Sequence, residues 1–185
     1  MDNINSVTGY YSSSDLRNIL RQLFNQYSLW SRFYIISRIE NLEDLEVVTN
    51  RLYEVPADIA NVLKIYYNTV YIQEFENLMR EQITLTIQII SEMKGNQSFD
   101  KTKSMWEENA DQIANLLASL NPYFDKGTLR NLFYNHFDML VSEAQKRISK
   151  QYALDVYEYN FIEYHSLMFA DYLWNGIIKQ FYPGN

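Results

Sequence analysis

Three polar residues stand at matching places on apolar helical stripes, and they are the side chains in this sequence best placed to do chemistry. His136 lies four residues after Leu132, Gln82 four after Leu78, and Tyr27 four after Leu23. Residues four apart share a face of a helix, so each polar group points toward the interior. If the three helices pack around one axis, we expect Tyr27, Gln82 and His136 to converge.

Such a convergence has two interpretations. One is structural: a buried polar layer that hydrogen-bonds to itself or to water and fixes the register of the helices. The other is a small-ligand site in the interior. A metal site is disfavoured, because zinc takes three or four Cys, His or carboxylate ligands, and one histidine with a tyrosine and a glutamine is a poor set. We predict no metal, no cofactor and no catalytic residue.

A second polar pattern consists of Asp–Asn pairs. Each pair is set three or four residues apart, which places both side chains near one face of a helix. The pattern favours a solvated face or hydrogen bonds between helices, and its alternative is a polar ring that meets a partner. The six positions are Asp58, Asn61, Asp111, Asn115, Asp171 and Asn175.

Composition excludes several classes of protein. There is no cysteine, so thiol chemistry and disulfides are absent. The net charge of −7 argues against sequence-independent nucleic-acid binding, which depends on Lys and Arg. The N-terminal segment lacks the basic and apolar regions of a secretory signal, and no stretch approaches the roughly 20 apolar residues that span a bilayer. We therefore expect a cytoplasmic protein with no membrane partner. Phosphate-binding loops, nucleophile elbows and HExxH motifs do not occur.

The elements that position these residues are helices. Five glycines and three prolines divide long segments in which apolar residues recur with a period near 3.6. The pattern predicts an all-α bundle of about six main helices. We predict a flexible leader over residues 1–12 and one domain over residues 13–185. In the first hairpin, we predict a short helix ending near Tyr53 and a new helix opened by Pro56, since proline is tolerated in a first helical turn.

An internal repeat organises the helices. The segments "DIANVLKIYYN" (58–68) and "QIANLLASLNP" (112–122) align with Ile59 and Ile113 54 residues apart, and Leu78 and Leu132 keep the same spacing without a gap. We predict three degenerate helical hairpins, at about 16–68, 72–125 and 126–183. One hairpin cannot bury its apolar face alone, whereas three packed together can. Periodicity alone, which makes amphipathic helices resemble one another, is the competing explanation.

Three features of the sequence are shared with a known family: the "ADxIxN" segment, the "NP" break after it and the ending "GIIKQFYP". Over about residues 20–183 the chain resembles a small, uncharacterised family of helical bacterial proteins. The resemblance implies a helical bundle and brings no activity. In that family's pattern histidine stands at the positions of Tyr27, Gln82 and His136, and only His136 matches.

Aromatic residues make up 16% of the chain, more than a small core requires. We expect some of these rings to be exposed or to pack between subunits, because aromatic residues are enriched at interface cores. The sequence therefore favours a non-enzymatic interaction or self-association module, which binds a protein partner or a second copy. The alternative is a small-ligand-binding bundle with its site at Tyr27, Gln82 and His136.

Overall fold

The structure, a computed structural model, describes residues 10–182, and this part of the chain folds into six α-helices with no strand. The all-α prediction is confirmed. Five short connections of three to five residues separate the helices. The helices are α1 (Ser13–Glu40), α2 (Leu45–Leu63), α3 (Thr69–Lys94), α4 (Asp100–Leu120), α5 (Lys126–Ile148) and α6 (Tyr152–Phe181).

The helices form a closed ring. Each helix packs against its neighbours along the chain, and α6 returns to pack along the whole of α1. The most extensive contacts are α1 with α6 and those within the pairs α1–α2, α3–α4 and α5–α6. The first helices of the three pairs, α1, α3 and α5, also contact one another. Odd-numbered helices therefore line the interior, which is where Tyr27, Gln82 and His136 lie.

The odd-numbered helices end in the same way. Just after each of these helices, one residue has a positive φ. The residues are Asn41, Asn96 and Lys150, with φ values of 57°, 53° and 57°. After each of them, the next residue donates its backbone N–H to the carbonyl five residues earlier, as in Leu42 to Ser37. This left-handed residue with a six-to-one hydrogen bond is the Schellman motif, which satisfies carbonyls left free at a helix end.

Helix α2 corrects the prediction made for Pro56. The break predicted near Tyr53 is wrong, because one helix runs from Leu45 to Leu63 with Pro56 inside it. Leu52, Val55 and Pro56 are all buried on one continuous apolar face, and burying that face outweighs the cost of an interior proline, about 3 kcal/mol. The guanidinium of Arg80 on α3 donates a hydrogen bond to the carbonyl of Tyr53 in the turn that the proline ring disturbs.

The predicted leader falls largely outside the described residues, which do not include 1–9; at the other end, 183–185 are also excluded. The leader residues that are described pack against the ends of the bundle. The ring of Tyr10 stacks on Tyr66 with centroids 5.0 Å apart, and the hydroxyl of Tyr182 donates to the carbonyl of Tyr11 over 2.6 Å. Ser12 then caps α1, because its hydroxyl accepts the backbone N–H of Asp15.

Lys150 provides a test of the helix-end geometry. A side chain with a Cβ in the left-handed region costs roughly 1–2 kcal/mol, a cost that glycine avoids. We expect Lys150→Gly to raise the free energy of unfolding by about 1 kcal/mol. Lys150→Ala removes the same charge but keeps the Cβ, so it should stay within about 0.5 kcal/mol of the parent chain. Urea unfolding of the three proteins measures both. Equal stability of the glycine and alanine variants would contradict the assignment.

Candidate functional site

The interior polar residues come together in part. Tyr27 and His136 stack with ring centroids 5.3 Å apart, and His136 stacks in turn on His165 at 5.9 Å. The Nε2 atom of His165 lies 2.8 Å from the carbonyl oxygen of Leu132, so this nitrogen carries the hydrogen and donates it. Helices α1, α5 and α6 thus meet in a column of three rings. His165 was not predicted to belong to this group.

Gln82 is buried on α3 but does not bond to the column. Both its amide nitrogen and its amide oxygen lack a protein partner among residues 10–182, and so does Nε2 of His136. The hydrogen bonds that would join Tyr27, Gln82 and His136 into one layer are therefore not formed. The three residues have burial in common, since each side chain is less than a tenth exposed.

Burial keeps the column uncharged. Removal from water and, to a lesser degree, the neighbouring His165 lower the pKa of His136 to about 3. Burial also lowers the pKa of His165 and raises that of the Tyr27 hydroxyl. Histidine neutral at physiological pH can accept one hydrogen bond and donate another, but it cannot neutralise an anionic ligand.

The space beside these residues is small. A cavity of about 10 Å³ lies against His136, and a second of about 10 Å³ lies on the other side of the Tyr27 ring. A water molecule needs about this much room. The first is lined by Phe24, Tyr27, Met79, Phe133, His136, Ser166 and Phe169.

The three aspartates of the Asp–Asn pairs are engaged in ion pairs. Asp171 on α6 accepts two hydrogen bonds of 2.9 Å from Arg17 on α1, and these bonds lower the pKa of Asp171. Asp111 on α4 lies 2.9 Å from the guanidinium of Arg130 on α5. Two of the three aspartates therefore join neighbouring helices, as one of the two interpretations of the pattern expected.

The third aspartate pairs within its own helix. Asp58 lies 3.1 Å from Arg51, and both belong to α2. The asparagines Asn61, Asn115 and Asn175 are exposed. Asn115 lines an open groove of about 380 Å³ between α3 and α4, whose other polar walls include Glu74 and Gln112. The six positions lie two each on α2, α4 and α6, and a polar ring that meets a partner stays a prediction.

A buried cluster of charges lies where α1, α5 and α6 meet. Arg32 on α1 contacts the carboxylates of both Glu143 and Asp155, and its guanidinium is 2.7 Å from Asp155 Oδ1. The other oxygen of Asp155 is 2.9 Å from Arg147 on α5, which also reaches Glu40 at 3.1 Å. Glu143 and Asp155 are completely buried. This cluster was not predicted from the sequence, although Glu143 falls three residues after the core residue Leu140.

Burial sets the charge of Glu143. Loss of solvent raises its pKa to about 7, although Arg32 acts in the opposite direction and Asp155 adds to the rise. One of its carboxylate oxygens, Oε2, has no hydrogen-bond partner in the described part of the chain. The Glu143 carboxyl therefore gains or loses its proton around neutral pH.

A row of apolar side chains covers the outer face of α6. Counting at 100° per residue, its five members fall within an arc of about 80° on the helix. Their spacing alternates between three and four residues, the spacing of a coiled-coil seam. This α6 stripe consists of Leu154, Tyr157, Phe161, Tyr164 and Met168, each 44–66% exposed.

The α6 stripe stands out from the rest of the described surface. Fifteen large hydrophobic side chains are exposed in residues 10–182, and seven belong to α6. Each of the other five helices exposes at most two. Taking half of the roughly 200 Å² that an aromatic side chain presents, the stripe leaves on the order of 500 Å² of apolar surface in water. Patches of that size on monomers are often functional.

Comparisons with known proteins add no family. No family model, curated protein or solved structure matches the chain. The resemblance to a bacterial helical family stays a prediction, although the helical architecture that it implied is observed. Across residues 10–182 no helix is both long and apolar enough to cross a bilayer, and no three His, Asp or Glu side chains are grouped as metal ligands.

His136 gives a stability test with a defined sign. Its pKa is about 3 in the folded chain and about 6.5 unfolded, so its stabilising contribution is complete above pH 6.5 and declines as the pH falls from there toward 3. We compare the free energies of unfolding of His136→Leu and the parent chain. As the pH is lowered from about 7 to about 5, the difference should shift in favour of the variant by about 2 kcal/mol. Urea unfolding at both pH values measures this. Phe133→Leu, which removes no titrating group, should show no such pH dependence, and a pH-independent effect of His136→Leu would refute the assignment.

Glu143 gives a pH dependence of stability opposite to that of His136. Its pKa rises on folding, so the folded chain binds the extra proton between the unfolded value near 4.5 and about 7, and stability falls as the pH rises through that window. As the pH is raised from about 5 to about 8, the free energy of unfolding of Glu143→Gln should increase by about 2 kcal/mol relative to that of the parent chain. The exposed Glu163→Gln is the matched control. If the two variants respond alike to pH, the buried carboxyl does not titrate as described.

Proposed function

We propose that this protein is a non-enzymatic self-association module whose binding surface is the α6 stripe. The observation that carries the proposal is the alternating three-and-four spacing of five exposed apolar side chains, three of them aromatic rings. That spacing is the one that lets two helices interlock side chains along a seam. A second copy of the chain supplies the matching surface.

Charge supports a contact of this kind. The stripe contains no charged residue, although the chain carries a net charge of −7. The acidic residues on its flanks, Glu158 and Asp171, are paired with Lys146 and Arg17 of the same chain. Two copies can therefore bring their α6 stripes together without burying an unpaired charge, which would cost several kcal/mol.

Rigidity supports it as well. Helix α6 is held to the bundle at three levels: by Asp155 in the charge cluster, by Ser166 bonded to Ser28 of α1, and by Asp171 bonded to Arg17. A surface fixed before binding loses little conformational entropy when it binds. The outer face of α6 is thus presented on a helix that cannot easily roll.

The internal repeat belongs to the same proposal. Helix ends of identical geometry after α1, α3 and α5 support three related hairpins, since the left-handed residues Asn41, Asn96 and Lys150 follow one another at intervals of 55 and 54. Packing alone would not require such equal spacing. The third hairpin then differs from the other two by the apolar outer face of its second helix.

The alternative function, small-ligand binding at Tyr27, Gln82 and His136, has less support. The unpaired Nε2 of His136 and amide of Gln82 favour it. The cavity of about 10 Å³ beside His136 disfavours it, because small-molecule pockets are typically about 300–1,000 Å³. A ligand larger than water would have to displace core side chains. A cytoplasmic location remains the expectation from sequence.

Phe161→Glu tests the proposal. The parent chain, 22.1 kDa, should sediment as a dimer that dissociates on dilution. Introducing a charge at the middle of the stripe should weaken dimerisation by at least about tenfold, since each copy would bury an unpaired carboxylate. Sedimentation equilibrium over a range of concentrations measures the dissociation constant.

Tyr71→Glu is the matched control, because Tyr71 on α3 is as exposed as Phe161, 48% for each, and lies off the stripe. It should leave the dissociation constant unchanged. Circular dichroism confirms that both variants are folded. A parent chain that remains monomeric at the highest concentration tested, or variants that weaken the dimer equally, would overturn the proposal.

A further inference from the structure

The α6 stripe is nearly symmetric about its central residue. Leu154 and Met168 stand seven residues on either side of Phe161, while Tyr157 and Tyr164 stand four before and three after it. Reversing the direction of the helix therefore reproduces the same series to within one residue, about 1.5 Å. A large ring lies at the centre, two tyrosines flank it, and two flexible aliphatic chains close the ends.

We propose that two copies of this chain pair through α6 alone, with the helices antiparallel and a twofold axis beside Phe161. This inference rests on the proposed self-association and adds its geometry. Phe161 then meets its own counterpart, Tyr157 packs near Tyr164 of the second copy, and Leu154 packs near Met168. The contact uses the same patch on both copies, so it closes at two.

The remaining surface argues against a different receiving patch. Other large apolar side chains that the described residues expose stand singly or in pairs, as Val70 with Tyr71 on α3 and Tyr152 with Val156 on α6. A contact between unlike patches needs a second apolar surface of similar extent, and it would build open chains of molecules. Within residues 10–182, the only apolar surface long enough to receive the α6 stripe is the α6 stripe of a second copy.

Size and end charges fit an antiparallel pair. The stripe is about 21 Å long, and two copies would cover roughly 1,000 Å² in total, close to the lower limit for a specific interface. The antiparallel arrangement brings Lys150, just before α6, to the level of Asp171 near the other end of the partner helix. In a parallel arrangement Lys150 would lie far from Asp171 of the partner helix, and the two Asp171 carboxylates, each paired with Arg17 of its own chain, would lie at the same level.

Cysteine cross-linking distinguishes the orientations, because the chain has no cysteine of its own. Leu154→Cys and Met168→Cys are prepared separately, mixed as folded proteins, and treated with diamide, which is reduced as two thiols become one disulfide. Antiparallel pairing brings Cβ atoms at 154 and 168 of different copies within reach of a disulfide. The mixture should yield at least about tenfold more cross-linked dimer than either variant alone, where the thiols lie about 21 Å apart.

The other outcomes have separate meanings. Cross-linking of each variant with itself, with no gain on mixing, indicates parallel helices and overturns the antiparallel geometry while self-association stands. A dimer by sedimentation that gives no disulfide in any combination also overturns it, since α6 is then not opposite α6. Tyr71→Cys, on α3, should not cross-link in any mixture. A monomer at all concentrations overturns both this inference and the proposed function.

Discussion

The closure of the helical ring depends on one buried group of charges. Arg32 of α1 and Arg147 of α5 share the carboxylate of Asp155, the first buried residue of α6. Taking these ions out of water is costly, and the cost is recovered only when all partners are in place. Removing one partner from such a group typically costs about 3–5 kcal/mol. A register of α6 that separated Asp155 from its two arginines is therefore disfavoured.

This constraint gives α6 an unusual distribution of side chains. Its inner face combines core residues such as Ile162 and Phe169 with the polar groups of Asp155, His165 and Ser166. Its outer face carries exposed aromatic and aliphatic residues. A surface helix normally has its apolar stripe inward and polar residues outward. Here polar interactions help to specify how α6 docks, and the apolar surface that stays exposed is the one we propose for self-association.

Much of the fold could be predicted from the sequence, because most helices are amphipathic and their connections carry clear signals. Among the glycines and prolines that divide the segments, Gly95 and Pro122 do lie in connections between helices. Pro56 was misinterpreted because a local preference for first turns was outweighed by the apolar face that continues through the proline. The interior positions of Tyr27, Gln82 and His136 followed from periodicity, but which of them touch depends on helix rotation, which periodicity does not give.

The charge cluster and the α6 stripe were harder to find. Glu143 continues a core stripe and could have been noticed by its spacing from Leu140. Asp155 could not, since α6 is apolar on more than one side and no face could be singled out as the interior. An excess of aromatic residues indicated that some rings would be exposed, and Tyr157, Phe161 and Tyr164 are, but only the packed ring shows which side of α6 faces out.

The proline in α2 has a consequence for the independence of the first hairpin. Pro56 has no N–H, so the carbonyl four residues earlier, that of Leu52, loses its usual partner within the helix. Arg80, a residue of the following hairpin, donates a hydrogen bond to the neighbouring carbonyl of Tyr53 in the same turn. The turn of α2 that the proline weakens is therefore stabilised by a contact from α3. Although its two helices are neighbours in sequence, the first hairpin gains this support only when the second has packed against it.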